Sequence, residues 1–508
     1  MKVKAIFLFC LFLLWQTGAA YCLCLENVSL DSWVYPYLEE LHTVGLFANL
    51  HKDVKPYSKK ELVSSLKEIR NRIETGQLKL DQDKLWLIER LEQKFKYELE
   101  DSSCKKSGVS YGVDPNFYLY QEKDSASARF KMKFEAGAQL GDKFLLKHRA
   151  IIDNQPDRQT DYFAKKWKGN LIGTTDEAYG LADLKYIQLF VGRESFVWGP
   201  SQRDNLLLSG HFPALDMINL QSQIGSFKLV YFTTILDPLQ ISKDSTAKRY
   251  FSGHRLDWKS NFGLELGFSE VILYGGTNRT VEPYYLNPLL FYYAEQFNHR
   301  YDDNPLWSVD FDFVFKSKEL YGELLIDDFQ YDFRTEPNQI GYKLGFNWNG
   351  PFRLKRTFLN FEYTRINRWV YGQNVQWNIY TYHNVGMGSF LGPDADDIFV
   401  KLSHHLSRDF SFSLSAEYKR KGQGRIDEPQ KSAVPFTGGF PSGTVEYTKN
   451  LNLCSSYQPN SNLQIRVWLE YQSIRNYLNL DDVDKDSFQI GLELSYTFLK
   501  ENFFNWKK

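Results

Sequence analysis

Hydrophobic and polar side chains alternate along most of the chain that follows Ser107. Between 130 and 138, phenylalanine, methionine and alanine occupy the even positions, while lysine and glutamate fill most of the odd ones. A period of two places the apolar side chains on one face of a β-strand. The alternation also occupies 410–419 and 488–498, and further runs begin near Val309, Ile340 and Leu463. Each run is close to the ~10 residues that a tilted strand needs to cross a bilayer, so the pattern predicts membrane-spanning strands.

The connections between these runs differ in length in a regular way. Short connections occur at Gly141-Asp142, Ser260-Asn261, Ser317-Lys318, Asn349-Gly350, Ser407-Arg408 and Pro459-Asn460. Longer polar loops lie between them, at about 153–181, 275–306, 329–338, 366–397, 420–443 and 474–486. Tight turns at one end and long loops at the other are typical of an outer-membrane β-barrel.

Threading strands through these connections gives about 16 of them, an even number as bacterial barrels have. Both ends of the barrel then lie on the short-turn, periplasmic side. The segment 194–223 falls on that side although it is long, which leaves two explanations: it folds into the lumen, or 366–397 contains another hairpin. A secreted protein with two packed sheets would also alternate, but it would not need the regular succession of short and long connections.

The pattern before Ser107 is helical, from about Trp33 to Glu100. Ser58-Lys59-Lys60-Glu61 is a capping box, in which the serine and the glutamate satisfy backbone N–H groups at the start of a helix. Apolar side chains recur at helical spacing in three stretches: Tyr37, Leu38, Leu41 and Leu46; Leu62, Leu66 and Ile69; Leu85, Ile88, Leu91, Phe95 and Leu99. Because such stripes must be buried against each other or against a neighbour, a small helical bundle is predicted ahead of the barrel.

The first residues are typical of a secretory signal peptide. Lys2 and Lys4 precede an apolar run that is shorter than the ~20 residues of a spanning helix, and small residues follow it. We therefore divide the chain into a signal peptide (1–20), a periplasmic helical domain (21–107) and an outer-membrane β-barrel (108–508). Four cysteines remain, too few for a disulfide scaffold and not spaced as a zinc site: Cys22, Cys24, Cys104 and Cys454. An incidental disulfide among them stays open.

The composition of the chain and the absence of catalytic motifs narrow the range of possible functions. The formal net charge is -1, so the chain has no positive field and nucleic-acid binding is not expected. No nucleotide-binding loop, nucleophile elbow or metalloprotease motif is present, so we expect no catalytic residues, no metal and no cofactor. His404 and His405 are neighbours in a predicted strand, so their rings point to opposite faces and do not share a metal.

Two segments stand out as candidates for sugar binding. In the first, 192–200, Arg193 offers a planar fork for an acidic sugar and Trp198 a ring face for stacking. The alternative there is a strand end closed by a turn, with the tryptophan in the interfacial belt. The second segment contains Tyr284 and Tyr285. For these rings an interfacial girdle is the first explanation, and a carbohydrate platform is the second.

At these residues the chain resembles the Wzi-type capsule assembly family of outer-membrane proteins. Three parts carry the resemblance, in order along the chain: 33–41 with Gly45-Leu46 and Pro56-Tyr57-Ser58; Gly192-Arg193 with Trp198-Gly199-Pro200 and 206–209; and 282–288. The resemblance implies a barrel of about 18 strands with a periplasmic helical bundle. It also implies a lectin-like role in attaching or organising capsular polysaccharide at the cell surface.

We therefore expect a mainly β fold, a transmembrane antiparallel barrel of about 16–18 strands in the bacterial outer membrane, preceded by a small periplasmic helical bundle. The expected function is non-catalytic binding of capsular or another exported polysaccharide, with Arg193, Trp198, Tyr284 and Tyr285 as contacts. The expected partners are this polysaccharide and outer-membrane lipid, with the chain as a monomer. Two other functions stay open: a porin or transport channel for oligosaccharides or small solutes, and an outer-membrane hydrolase, for which the sequence offers no convergent catalytic group.

Overall fold

The computed structural model describes residues 23–100, 107–122, 125–155, 164–167, 170–328, 338–428 and 439–503. The expected signal peptide, 1–20, lies outside the described residues, as do Cys22 and Cys104. Within them, Cys24 is disulfide-bonded and Cys454 is a free cysteine.

Helices occupy the N-terminal part of the described chain: α1 (Val34–His42), α2 (Lys59–Glu74), α3 (Gln82–Lys94) and α4 (Lys96–Glu100). The predicted capping box is confirmed, because the Ser58 hydroxyl accepts from the Glu61 N–H and the Glu61 carboxylate accepts from the Ser58 N–H. The three apolar stripes pack into one core, in which Leu87 is buried and the predicted Leu85 is only half-buried. Among the described residues, no helix is long and apolar enough to cross a membrane.

A closed antiparallel barrel follows, and its described wall has 18 strands. These are β2 (Gly108–Glu122), β3 (Ser125–Leu140), β4 (Phe144–Asp153), β5 (Ile172–Asp183), β6 (Gln188–Glu194), β8 (Leu215–Ile224), β9 (Phe227–Ser242), β10 (Ser245–Lys259), β11 (Leu264–Gly276), β12 (Asn304–Phe315), β13 (Lys318–Asp328), β14 (Gln339–Asn349), β15 (Thr357–Ile366), β18 (Ala395–His405), β19 (Phe410–Lys421), β20 (Glu446–Tyr457), β21 (Leu463–Arg475) and β22 (Lys485–Tyr496). β23 (Phe498–Phe503) continues β22, and both pair with β2 to close the ring. The predicted barrel of 16–18 strands is thus confirmed at its upper count.

Two short ladders and one further α-helix among the described residues are not part of this wall. β1 (Val54–Lys55) pairs with β7 (Val197–Trp198), and β16 (Thr381–Tyr382) pairs with β17 (Val385–Gly386). Helix α5 (Tyr292–His299) belongs to the connection between β11 and β12.

The tight turns among the described residues gather at one end of the barrel, as the sequence predicts, except the one at 243–244, which joins β9 to β10 at the loop end. All the predicted short connections are there, and two that were not predicted join them, at 184–187 and 225–226. These two turns place 195–214 at the opposite end, from which it enters the lumen. The first explanation for the irregular segment is therefore right, and 366–397 contains the short ladder of β16 and β17 rather than a hairpin of the wall.

The alternating pattern divides the wall into an outer and an inner surface. One row of register partners across β19 to β22 is exposed on the outer surface: Leu414, Leu453, Leu469 and Ile490. The adjacent row faces the lumen: Ser413, Cys454, Trp468 and Gly491. The outer surface is therefore apolar and the inner surface mixed, as a lipid-facing wall requires.

The helical domain lies against the tight-turn end of the barrel. Glu40 of α1 accepts a hydrogen bond from His405 at 3.0 Å, and the Lys52 ammonium lies 3.0 Å from the Asp312 carboxylate. Arg90 of α3 forms an ion pair with Asp409, in the turn that precedes β19. Contacts on several sides of the ring therefore hold the helices across this mouth.

Candidate functional site

The lumen has a packed half and an open half. Inward-facing side chains of β10 to β12 are fully buried, as Phe251, Leu273 and Leu306 show with exposures of 0%. On the opposite side, Trp468 is only half-buried, and the side chain of Arg466 is 44% exposed. A ligand in the lumen would therefore meet the wall formed by β18 to β22 with β2 and β3.

The packed half is filled by the crossing segment, residues 195–214. Its β7 pairs with β1 of the N-terminal domain, which places Trp198 opposite Val54. The Trp198 ring is 1% exposed and packs edge-on against Phe196 at 5.8 Å and Phe232 at 5.3 Å. The crossing segment is thus the apolar core of the lumen, continuous with the N-terminal domain below it.

Polar groups fix the crossing segment from two directions. The Glu323 carboxylate on β13 accepts hydrogen bonds from the N–H groups of Leu206 at 2.7 Å and Leu207 at 3.1 Å. The hydroxyls of Tyr371 and Tyr380, in the connection between β15 and β18, donate to the carbonyl oxygens of the same two leucines at 2.6 Å and 2.9 Å. The buried backbone groups of both leucines are thereby satisfied, as a buried irregular segment requires.

Two ionisable side chains lie where the helical domain meets the crossing segment. Asp53 is 0% exposed, and its carboxylate has no hydrogen-bond partner among the described residues. Burial raises the pKa of Asp53 well above its ordinary value, and the nearby Glu265 raises it further. Lys55 donates to the Gly199 carbonyl oxygen at 3.2 Å, and burial lowers its pKa to about 8. Burial thus favours the uncharged form of both side chains at this junction.

The open half contains a cavity of about 830 Å³ between the N-terminal domain and the wall. Charges of both signs line it, among them Lys131, Lys133, Lys147, Arg149, Lys401, Arg466, Glu26, Asp31, Glu135, Glu177 and Glu493. Several are paired, such as Arg149 with Glu177 at 2.8 Å and Lys147 with Glu135 at 3.0 Å. The Lys401 ammonium makes no ion pair or hydrogen bond with another described residue. The cavity is therefore polar and offers groups that can hydrogen-bond to water or to sugar hydroxyls.

Three aromatic rings continue the open half toward the loop end. The rings of Tyr118 and Tyr120 are parallel, with centroids 6.2 Å apart and an interplanar angle of 3°. The Trp468 ring meets Tyr120 at 5.8 Å, and the guanidinium of Arg129 lies 5.4 Å from the centroid of Tyr118. All three rings are half-buried, and we call them the ring platform. Aromatic faces beside hydrogen-bonding groups suit a ligand that has both apolar and polar edges, as sugars have.

Gly491 makes room for the Trp468 ring. The two residues are register partners on β22 and β21, and a Cβ at Gly491 would collide with the atoms of the indole. Glycine in a strand interior often marks such a close approach. The indole therefore lies across the neighbouring strand and reaches toward Tyr120.

The four residues predicted to bind polysaccharide do not come together. Arg193 points outward from β6 and forms a bidentate ion pair with Asp216, whose Oδ1 lies 2.9 Å from the arginine Nε. Trp198 belongs to the core of the lumen. Tyr284 and Tyr285 lie outside the barrel, where Tyr285 is 0% exposed and Tyr284 stacks on His299 at 4.4 Å. Sugar binding by these residues stays a prediction.

The sequence analysis missed the ring platform, although the pattern contains a signal for it. The inward positions of β21 are Gln464, Arg466, Trp468, Glu470 and Gln472, in which one ring interrupts a polar series. Tyr118 and Tyr120 likewise follow Asp114 and Asn116 on the inward face of β2. An aromatic residue on the polar face of an amphipathic strand is the feature that would have found them.

One group of side chains has the composition of a metal site. His42, Asp312 and Glu319 place ligand atoms within 4.8 Å of one another. The Lys52 ammonium contacts both carboxylates of this group, 3.0 Å from Asp312, and already supplies a positive charge there. The group is therefore part of the attachment of the helical domain rather than a cation site.

Comparison with known proteins gives a family and a related structure. Residues 110–489 match the family described as "Capsule assembly protein Wzi". The chain is similar in structure to Wzi of Escherichia coli, an outer membrane protein involved in group 1 capsule assembly and described as a carbohydrate-binding β-barrel. The TM-score is 0.62 at 14% identity, over 92% of this chain and 99% of that one.

A more distant similarity is to the outer membrane protein OprD from Pseudomonas aeruginosa, with a TM-score of 0.46 at 10% identity, over 78% of this chain and 95% of that one. No curated protein sequence matches significantly. Since the family match extends over most of the chain and the closed barrel agrees with it, this protein belongs to the Wzi family of capsule assembly proteins.

Proposed function

We propose that this outer-membrane protein binds an exported polysaccharide without modifying it and thereby holds capsule at the cell surface. The observation that carries the proposal is the ring platform of Tyr118, Tyr120 and Trp468, which stands in the polar, open half of the lumen. The carbohydrate binding described for Wzi of Escherichia coli supports it.

The filled lumen favours binding over transport. The helical domain closes the tight-turn end, and the crossing segment occupies the middle of the barrel with Leu206, Leu207 and Leu208 at 0% exposure. A solute channel needs a continuous aqueous path, as porins have. We therefore place polysaccharide binding ahead of the porin function.

We also propose the orientation and the state of the molecule. The helical domain lies in the periplasm, and the loop end with the ring platform opens to the outside. The chain acts as a monomer whose outer wall contacts lipid. This orientation follows the usual arrangement of outer-membrane barrels, in which the short turns are periplasmic.

The first prediction tests the ring platform. Trp468→Ala and Tyr120→Ala should each weaken the binding of purified capsular polysaccharide fragments by about two- to tenfold, because one ring contact contributes about 0.5–1.5 kcal/mol. Affinity is measured by biolayer interferometry with the detergent-solubilised protein and a panel of capsular polysaccharides. Gly491→Ala should weaken binding in the same direction, since the added Cβ displaces the Trp468 ring.

The matched control is Trp348→Ala. Trp348 lies on the outer wall at the tight-turn end, where Lys318 covers its ring, so its loss should leave the affinity unchanged. Equal affinities for the wild type and the platform variants would contradict the proposed site. Failure of every polysaccharide in the panel to bind the wild type would contradict the proposed function.

A further inference from the structure

Two polar side chains face outward from the barrel wall at a place where a lipid-facing surface would be apolar. Glu270 of β11 and His254 of β10 are register partners. The adjacent pair of register partners, Ser269 and Arg255, faces the lumen. Alternation therefore turns Glu270 and His254 outward. Glu270 is nevertheless 0% exposed, so another part of the chain covers it.

The covering part is the connection 277–303, which we call the flap. The Glu270 carboxylate accepts hydrogen bonds from the N–H groups of Tyr292 at 2.8 Å and Tyr293 at 2.9 Å, at the start of helix α5. The indole N–H of Trp307 on β12 donates to the same carboxylate at 2.9 Å, and His254 lies 3.2 Å from it. A carboxylate at a helix N-terminus is favourably placed. Glu270 therefore holds the flap against the outer wall.

A cluster of tyrosines fixes the flap at a second place. Tyr285 and Tyr292 of the flap pack with three outward-facing residues of the wall, Tyr250, Ile272 and Tyr274, in a core separate from that of the lumen. The Tyr285 hydroxyl also donates to Asp303 at 2.9 Å. The flap is thus a packed part of the wall rather than a loose loop.

The position of Glu270 puts the flap at membrane depth. Glu270 lies six residues beyond Leu264, the first residue of β11. A strand tilted by about 40° rises about 2.5 Å per residue along the barrel axis, so Glu270 stands about 15 Å from the tight-turn end. The apolar band of an outer-membrane barrel is about 25 Å tall. A bare Glu270 would therefore face hydrocarbon, at a cost that the flap removes.

Between 286 and 297 the exposed side chains of the flap are mostly apolar, whereas Asn298, His299 and Arg300 expose polar groups just beyond them. Leu289 is 80% exposed, Phe297 63% and Phe291 46%. The Phe291 ring stacks on Trp307 at 5.8 Å, and Val309, the next outward residue of β12, is exposed on the bare wall. The apolar surface of the barrel thus continues from β12 onto this part of the flap.

We propose that the flap is a membrane-embedded part of the outer wall, whose Leu289, Phe291 and Phe297 contact the acyl chains of the outer leaflet and keep Glu270 and His254 out of lipid. The occupant of this surface is lipid, because the surface is continuous with the lipid-facing wall and lies at the depth of the apolar band. The proposal rests on the outer-membrane location and does not depend on sugar binding.

Spin labels measure where the flap lies. Leu289→Cys and Phe297→Cys are each made in a Cys454→Ser background, labelled with a nitroxide and reconstituted in phosphatidylcholine vesicles. The signal of the labelled background chain, which keeps Cys22, Cys24 and Cys104, is subtracted. Power saturation then compares the access of dissolved oxygen with that of a water-soluble nickel chelate. Both labels should favour oxygen by about the ratio found for Leu324→Cys, a label on the bare outer wall.

Leu478→Cys supplies the aqueous control, because Leu478 is 60% exposed in the connection between β21 and β22 at the loop end. Nickel access at 289 and 297 equal to that at 478 would place the flap in water and overturn the proposal. Protection of both labels from oxygen and nickel together would mean that protein covers the flap, which overturns it as well. Sugar affinity should be the same in all these variants, so the result is independent of the proposed function.

Discussion

Glu26 joins the N-terminal chain to the barrel wall through two lysine side chains. The Lys59 ammonium of α2 lies 2.7 Å from its carboxylate, and Lys147 of β4 forms a second ion pair. Burial raises the pKa of Glu26, but the two ammonium groups lower it more, and the pKa falls from 4.5 to about 2. Ionised Glu26 therefore stabilises the docked state above pH 4.5, and this contribution is lost as the pH falls from 4.5 toward 2.

Glu26→Gln should destabilise the helical domain by about 3 kcal/mol at neutral pH. The buried ammonium groups of Lys59 and Lys147 lose their shared carboxylate and keep only Glu98 at 3.4 Å and Glu135 at 3.0 Å. The free energy of unfolding is measured by urea titration in detergent, with circular dichroism at the helical band. The wild type should lose stability between pH 4.5 and pH 3, while the variant should show a weaker dependence on pH in this range.

Glu74→Gln is the control for this change. Glu74 is exposed near the end of α2, where its charge contributes little, so both its stability and its pH profile should match the wild type. The same pH slope in Glu26→Gln as in the wild type would rule out Glu26 as the titrating group.

At the scale of elements, the crossing segment depends on two hydroxyl groups. Tyr371 and Tyr380 satisfy the carbonyl oxygens of Leu206 and Leu207. In the double variant Tyr371→Phe and Tyr380→Phe, each carbonyl oxygen loses a partner in a buried place, at a cost of about 1–3 kcal/mol. The segment should leave its position more often, and planar-bilayer recordings should show brief openings where the wild type is nearly silent.

The control is the double variant Tyr457→Phe and Tyr471→Phe, which removes two hydroxyls from exposed rings of the outer wall. Its recordings should be as silent as those of the wild type. A steady, large conductance of the wild type itself would show that the crossing segment does not block the lumen. Identical traces for the wild type and the Tyr371 and Tyr380 variant would show that these hydroxyls do not hold it.

The strands could be predicted wherever alternation and turn chemistry agree. In runs such as 130–138 and 410–419 the alternation of apolar and polar residues is visible in the sequence itself. Turns such as Ser260-Asn261 contain the residues that turns prefer. The turn at 184–187 is Leu-Lys-Tyr-Ile, which has no such residue, so β6 was not separated from β5. In addition, most of β5 lies in 153–181 and most of β8 in 194–223, which were predicted to be long connections. These two strands account for the missing pair.

The candidate site was less predictable than the fold. Trp198 is distinctive in sequence because Gly199 and Pro200 follow it, and Tyr285 because it lies in an aromatic cluster two residues after Pro283. Both are nevertheless buried by parts of the chain that are distant in sequence. Tyr120 and Trp468 come together only because the last strands pair with the first wall strand, β2. A contact across the closing pair of a ring is set by register over the whole wall, and no local pattern contains it.

At the scale of the whole molecule, the two ends of β10 offer a matched test of orientation. Asp244 precedes this strand at the loop end, and Asn261 follows it at the tight-turn end, and both are exposed. In intact cells, a membrane-impermeant maleimide should label Asp244→Cys but not Asn261→Cys, each in a Cys454→Ser background. Once the outer membrane is permeabilised, labelling of Asn261→Cys should exceed that of the Cys454→Ser background, which keeps Cys22, Cys24 and Cys104. The reverse pattern would invert the proposed orientation.

The short ladder between β1 and β7 constrains how the protein can be assembled. β1 precedes every wall strand in the chain, while β7 lies within the ring. Because the helices precede the wall strands in the chain, we infer that they are exported first and are present while the wall is still an open sheet. Pairing of β2 with β22 and β23 then closes the barrel around the crossing segment and the helices, which are already in place. We therefore expect the barrel to insert with its lumen already filled, so that no open pore forms during assembly.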